Sequence, residues 1–144
     1  MAIVSDHAGF YLKEKLLKFL AKQNIEIKDL GSFKYEETDD YTDFGHPLAR
    51  AVSSGEFDAG ISICGTGNGM NMVVNKHPGI RSALCWNEEI GKLARAHNDA
   101  NICALPARYI DESEAILIVK AFLNTGFEGG RHKRRVDKIP LKMY

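Results

Sequence analysis

The run Cys64-Gly65-Thr66-Gly67-Asn68-Gly69 restricts this chain more than any other feature of it. It stands between the apolar residues 59–63 and the segment 70–74, an order that predicts strand, glycine-rich loop and helix. Such a loop turns its backbone N–H groups toward whatever lies above the helix N-terminus, an anion or an oxygen gaining negative charge. Cys64 lies at the edge of the same field, where a thiolate is stabilised and the thiol pKa is expected to fall. One segment therefore offers a candidate base or nucleophile, a hydroxyl at Thr66 and a bed of donors. That set suits chemistry on a carbonyl compound or a phosphorylated small molecule. The glycine spacing is neither that of a dinucleotide fingerprint nor that of a P-loop, so no nicotinamide or ATP site is inferred.

Strand-like and helical patterns alternate along the chain. Residues 2–4, 25–30, 58–63, 80–85 and 101–104 read as strands. Residues 10–22 read as a helix, with Leu12, Leu16, Phe19 and Leu20 at helical spacing and Lys13, Glu14 and Lys15 between them. Residues 31–42 are polar and read as an excursion loop, and residues 44–53 as a helix. A helix follows the glycine loop to about Lys76, stopped by Pro78-Gly79. Asn87 is placed to cap a helix reaching about His97. Asp111 is placed to cap a helix over 112–124, with Glu114 as its capping-box partner and Gly126 beyond its end. Strict alternation with short connections predicts an α/β fold whose parallel sheet is covered on both faces. No repeat or linker interrupts the pattern, so residues 1–144 are expected to form one domain. Ligands of such folds bind outside the C-terminal ends of the strands, at a switch in strand order. Asp6 and His7 follow the first strand, the 64–69 loop follows the third, and Arg108 follows the fifth.

Lys plus Arg and Asp plus Glu both number 19, so the formal net charge is zero, and nonspecific nucleic-acid binding is not expected. Three cysteines form no close pair, which argues for free thiols in a reducing compartment. No signal-peptide pattern and no apolar run of membrane-spanning length is read, so a cytoplasmic location without membrane contact is expected.

Each chemical candidate has a structural counterpart. Asp6 can cap the helix that follows, with His7 solvated, or the pair can act on the functional rim. Cys85 and Cys103 lie inside apolar strands and fit small buried hydrophobes, whereas Cys64 ends its strand at the loop. His97 shares a helical face with Ile90 and Leu93, which suits a core histidine. It also stands at a helix C-terminus, which favours an imidazolium and hence a general acid. Arg108 and the run 131–135 are the phosphate candidates. Arg131 and Arg135 stand four apart, so one helical turn would put both guanidinium groups on one side, where their forks fit a phosphate. Lys133 fits a solvated face, His132 is open, and His46 and His77, each beside a proline, fit surface turns. No His/Asp/Glu spacing suggests a metal site.

Taken together, Ser5-Asp6-His7-Ala8-Gly9-Phe10, the 64–69 loop, Gly79-Ile80-Arg81, Ala96-His97-Asn98-Asp99-Ala100-Asn101 and Gly129-Gly130-Arg131-His132-Lys133-Arg134-Arg135 resemble the ribose-5-phosphate isomerase B family, which groups with the allose- and galactose-6-phosphate isomerases. The blocks run in family order over almost the whole chain. The resemblance implies a Rossmann-like three-layer α/β/α fold with a five-stranded parallel sheet. It implies aldose–ketose isomerisation of a phosphorylated pentose without metal or cofactor, in a homodimer or tetramer whose active sites are shared between subunits. By that resemblance Cys64 is the base that moves a proton between C1 and C2 through an enediolate, and Thr66 assists transfer between the oxygens. The N–H groups of Gly65, Gly67, Asn68 and Gly69 would hold the oxyanion. His97 from the neighbouring subunit would open the furanose ring with Asp6 as counterpart. Asn98 would orient the sugar and Tyr41 would stand near the site. His7, Arg108, Arg131 and Arg135, the latter two in the C-terminal tail, would bind the phosphate. A branch of the family has a glutamate base six positions after the place of Cys64. Here Met70 stands there, which places the chain in the cysteine branch. The family pattern has a proline where Thr42 stands, so the loop after Tyr41 is expected to differ. Rival readings are an allose- or galactose-6-phosphate isomerase, a phosphosugar binder without turnover, and a cysteine hydrolase. Binding alone needs neither Cys64 nor His97, and nothing suggests an acyl substrate.

Overall fold

The computed structural model describes residues 1–142. Strands β1 (Ala2–Ser5), β2 (Lys28–Asp29), β3 (Gly60–Cys64), β4 (Ser82–Leu84) and β5 (Ile102–Pro106) form one all-parallel sheet in the order β2-β1-β3-β5-β4. Between them run α1 (Phe10–Lys22), α2 (Tyr41–Ser53), α3 (Asn68–Val74) and α4 (Glu88–Asn98), followed after β5 by α5 (Glu112–Asn124) and α6 (Arg131–Val136).

The two-residue period of the strands sorts the core into two layers. Ile3, Ile61, Ile63, Cys103 and Leu105 face Leu16 and Leu20 of α1, Ala94 of α4, and Ala115, Ile118 and Phe122 of α5. Ala2, Val4, Cys64 and Ile102 face Leu48, Ala49 and Val52 of α2 and Met70 and Val74 of α3. Strands apolar on both sides are what a parallel sheet covered by helices requires. The chain leaves β1 toward β2 at one edge and resumes at β3 on the other side of β1. The switch in strand order therefore lies between β1 and β3, directly under Asp6 and Cys64.

Several boundaries differ from the sequence reading. β2 is confined to Lys28–Asp29. Ile25 and Ile27 pack against the core instead of pairing, while ladder-like bonds continue past the strand, Ser5 N–H to Gly31 O at 2.8 Å and Ser32 N–H to Ser5 O at 2.9 Å. α2 starts one turn early, at Tyr41, with extended Asp40 before it and Pro47 inside it. Thr42 thus stands in the first turn of a helix, where a proline or a threonine fits equally, and not in a loop. Asp111 does cap α5, accepting from the Glu114 N–H at 2.8 Å. That N–H, with the Ser113 hydroxyl, holds the Asp111 carboxyl below its usual range. The Glu114 side chain does not return to Asp111 as a capping box would. It accepts from the Glu88 N–H at 3.0 Å, tying α5 to the start of α4.

Lys13 is fully buried, although its neighbours in the sequence suggest a solvated face. It falls on the stripe of Leu16 and Leu20, and its Nζ donates to Asp29 Oδ1 at 2.7 Å and to Ser32 O at 2.6 Å. Rings of Phe10 and Phe33 lie 5.9 and 5.7 Å from it. A buried ammonium persists only with such partners. Here it fastens α1 to the 29–32 segment.

Candidate functional site

The predicted residues separate onto two rims of the sheet. On the first, at the strand C-termini, Cys64 stands opposite Pro106 of β5. Asp6 donates its N–H to Ile63 O at 3.2 Å and accepts from the Gly9 N–H at 3.1 Å, capping the 3-10 turn His7–Gly9 that leads into α1. The capping reading of Asp6 is thus met, and the cap lies on the same rim as Cys64. The loop after β3 is closed down by tight contacts. A Cβ on Gly65 would lie 3.1 Å from Arg108 Nη1, and one on Gly69 would lie 2.8 Å from Tyr41 Cζ. The Arg108 guanidinium and the Tyr41 ring therefore lie directly over the loop. Arg108 is held by its N–H to Gly65 O at 3.0 Å.

Burial pushes the Cys64 thiol up, with the Asp6 carboxylate adding in the same direction. This corrects the expectation of a lowered pKa. The N–H groups of Met70, Gly67 and Gly69 pull the other way, but they do not offset the loss of water around a sulfur at a buried strand end. Met70 is among these donors, and sequence reasoning did not name it. The Asn68 N–H goes instead to Thr66 Oγ1 at 3.2 Å. Burial likewise pushes the Asp6 carboxyl up, against the Gly9 N–H and the neighbouring His7. His7 is gripped by Asp39, a residue of the polar 31–40 connection that nothing in the sequence singled out.

The second rim lies where the strands begin. α4 runs back antiparallel to the strands, so His97 and Asn98 arrive just before β5 starts at Ile102. A strand of this length separates its ends by about 13 Å, and the helix end lies farther out. Arg81 and Asp99 build this corner. Arg81 Nε donates to Asn98 O and Asp99 O, and its Nη2 to Asp99 Oδ2 at 3.0 Å. Arg95 Nη1 reaches Asp99 Oδ1 at 3.0 Å, and Asn101 Oδ1 accepts from the Arg81 N–H. Asp99 takes a left-handed conformation at φ 47°, ending α4. α6 packs against this corner: the His97 and His132 rings stack at 4.2 Å, 9° from parallel, and Glu128 Oε2 lies 3.9 and 3.5 Å from their Nε2 atoms. Desolvation, the His97 ring and the Arg131 guanidinium push the pKa of the buried His132 down. Arg131 and Arg135 stand on α6 as the four-residue spacing predicted.

Two groups of metal-capable side chains occur among the described residues, Asp6 with His7 and Asp39, and His97 with Glu128 and His132. In the first, one oxygen of each carboxylate is engaged, Asp6 Oδ1 by the Gly9 N–H and Asp39 Oδ1 by His7. In the second, the ligand atoms of His97, Glu128 and His132 lie within 4.8 Å of one another, although no sequence spacing suggested the group. His46 and His77 are not independent turn residues: His46 Nδ1 lies 2.8 Å from His77 Nε2, and burial with the His46 neighbour pushes His77 down. Cys85 and Cys103 are buried as expected.

This arrangement has known counterparts. A family model described as Ribose/Galactose Isomerase matches residues 1–139. The chain belongs to that family. It is 40% identical over 139 residues to the ribose-5-phosphate isomerase B of Escherichia coli K12, covering 96% of this chain and 93% of that protein. Among solved structures, the Clostridium thermocellum ribose-5-phosphate isomerase B superposes with a TM-score of 0.93 at 48% identity, over 96% of this chain and 93% of that one. The Mycoplasma genitalium enzyme, solved with bound ribulose-5-phosphate, gives 0.92 at 43% identity, over 96% and 91%. The Rossmann-like α/β fold inferred from the sequence is thus shared with these isomerases. No helix among the described residues is long and apolar enough to cross a membrane.

Proposed function

We propose that the chain interconverts ribose 5-phosphate and ribulose 5-phosphate through an enediolate, as a single-domain cytoplasmic isomerase that needs no metal. One observation carries this reading: Cys64 ends β3 at the glycine loop, on the same rim as the Asp6 cap, and the N–H groups of Met70, Gly67 and Gly69 favour its thiolate. Ring opening needs a proton given to the ring oxygen and one taken from the anomeric hydroxyl. His97 and Asp6 fill those roles. The Cys64 thiolate then removes the C2 proton and returns it to C1, while Thr66 passes the other proton between O1 and O2. When Thr66 turns to the substrate it frees the Asn68 N–H, which joins those of Gly65, Gly67 and Gly69 at the oxyanion. A positioned base contributes about 10²–10⁴-fold and an oxyanion donor about 10²–10³-fold. Asn98 and Tyr41 orient the sugar, and His7, Arg108, Arg131 and Arg135 take the phosphate.

The separation of the two rims supports a site completed by a second copy in a homodimer or tetramer, the Cys64 rim of one protomer meeting the His97 rim of its partner. The arginines that arrive with the partner would lower the cost of charging Cys64. The test is an isomerase assay on chelator-treated protein, with ribose 5-phosphate and allose 6-phosphate side by side. Preferred turnover of ribose 5-phosphate that survives chelation and stops on thiol alkylation is expected. Preference for the six-carbon sugar, or turnover after Cys64 is alkylated, would overturn the reading.

A further inference from the structure

Asp39 makes its polar contacts in an unusual way. Oδ1 accepts twice from one residue, from the His7 N–H at 3.1 Å and from His7 Nδ1 at 2.7 Å. The carboxylate is only 9% exposed, and Oδ2 is buried with no hydrogen-bond partner among the described residues. A carboxylate can only accept, so Nδ1 carries the proton and Nε2 is the nitrogen left for a ligand. The Tyr35 ring meets the imidazole edge-on, with centroids 6.4 Å apart, and limits its swing.

The connection that carries Asp39 is fastened elsewhere. Buried Lys13 holds Asp29 and Ser32, and the bonds between Ser5 and residues 31 and 32 run beside it. The Asp39 carboxylate adds nothing to that anchor. Burying it beside Asp6 costs desolvation and like-charge repulsion, since Asp39 is among the groups that push the Asp6 carboxyl up. The return for that cost is the fixed His7 ring.

We propose that Asp39 is a positioning residue for the isomerase: it locks His7 in the Nδ1–H form and presents Nε2 to the substrate phosphate. This rests on the reading of His7 as a phosphate contact. One proton shared between Nε2 and a phosphate oxygen then serves either ionic form of a phosphate monoester. Paired carboxylate–histidine units lose about 10–100-fold when the orienting partner is removed.

The experiment uses the full chain with Asp39→Ala and, as the isosteric control for folding, Asp39→Asn. Nitrogen-resolved NMR reads the His7 tautomer, calorimetry reads inorganic phosphate binding, and kinetics with ribose 5-phosphate separate KM from kcat. The expected result has His7 as Nδ1–H in the parent and shifted toward Nε2–H in Asp39→Ala. Phosphate affinity should fall about tenfold or more, and KM should rise further than kcat falls. An unchanged tautomer, or unchanged phosphate affinity, would overturn the proposal. A parent that binds phosphate but does not turn over ribose 5-phosphate would count against the isomerase reading alone, because the first two measurements judge Asp39 without turnover.

Discussion

The rim that carries Cys64 is made of backbone and buried side chains, whereas the rim that carries His97 is made of helix ends and charged side chains. Glycines show the difference well. At Gly67, φ is 75° and an added Cβ would lie 2.4 Å from Leu84 Cδ1 and 3.2 Å from the Leu105 backbone. At Gly129, φ is 68° but no atom lies within 4 Å of an added Cβ. The first position demands glycine for conformation and for space, the second for conformation alone. The Cys64 rim is thus shaped before any ligand arrives, as chemistry on a transient oxyanion requires. The His97 rim presents cations on short helical supports, which suits the capture of a phosphate distant from the reacting carbons.

The largest effect should come from Cys64→Ala. Isomerisation is expected to fall by about 10³-fold or more while phosphosugar binding stays within a few-fold, read by kinetics and calorimetry. Retained turnover would remove the chemical half of the comparison. Gly67→Ala should destabilise the fold by about 1–3 kcal/mol or more in denaturant titration, since strain and a clash act together. Arg135→Ala should raise KM about tenfold with little change in kcat, as loss of a charge-assisted phosphate bond does. A fall in kcat alone would move Arg135 from binding to chemistry. The smallest effect is expected at Gly129→Asn, within about 0.5 kcal/mol, because asparagine tolerates the left-handed region and the site is open. A loss as large as that at Gly67 would mean that both rims are equally packed.

The helices were legible where local chemistry decides them. α1, α4 and α5 begin and end within a residue or so of their predicted limits because periodicity and caps such as Asn87 and Asp111 are local signals. β2 was read too long because an edge strand is set by what its neighbour offers, and Ile25 and Ile27 found the core instead. Lys13 carried a faint signal, its place three and seven residues before Leu16 and Leu20 on the buried stripe, but a lysine there reads as solvent-facing until the Asp29 and Ser32 partners are seen. Asp39 carried none, since its partner is 32 residues away. The Cys64 pKa was misjudged because the loop donors are visible in sequence and the burial that outweighs them is not. The separation of the candidate residues onto two rims follows from topology alone, once α4 is known to run back across the sheet.

That division is the central claim, and subunit mixing tests it most directly. Cys64→Ala and His97→Asn proteins, each inactive on cyclic ribose 5-phosphate, would be unfolded together and refolded at equal concentration. If each site takes Cys64 from one copy and His97 from another, every mixed pair holds one intact site, and random pairing restores about one quarter of the parent activity. A mixture as inactive as its two components would contradict a shared site.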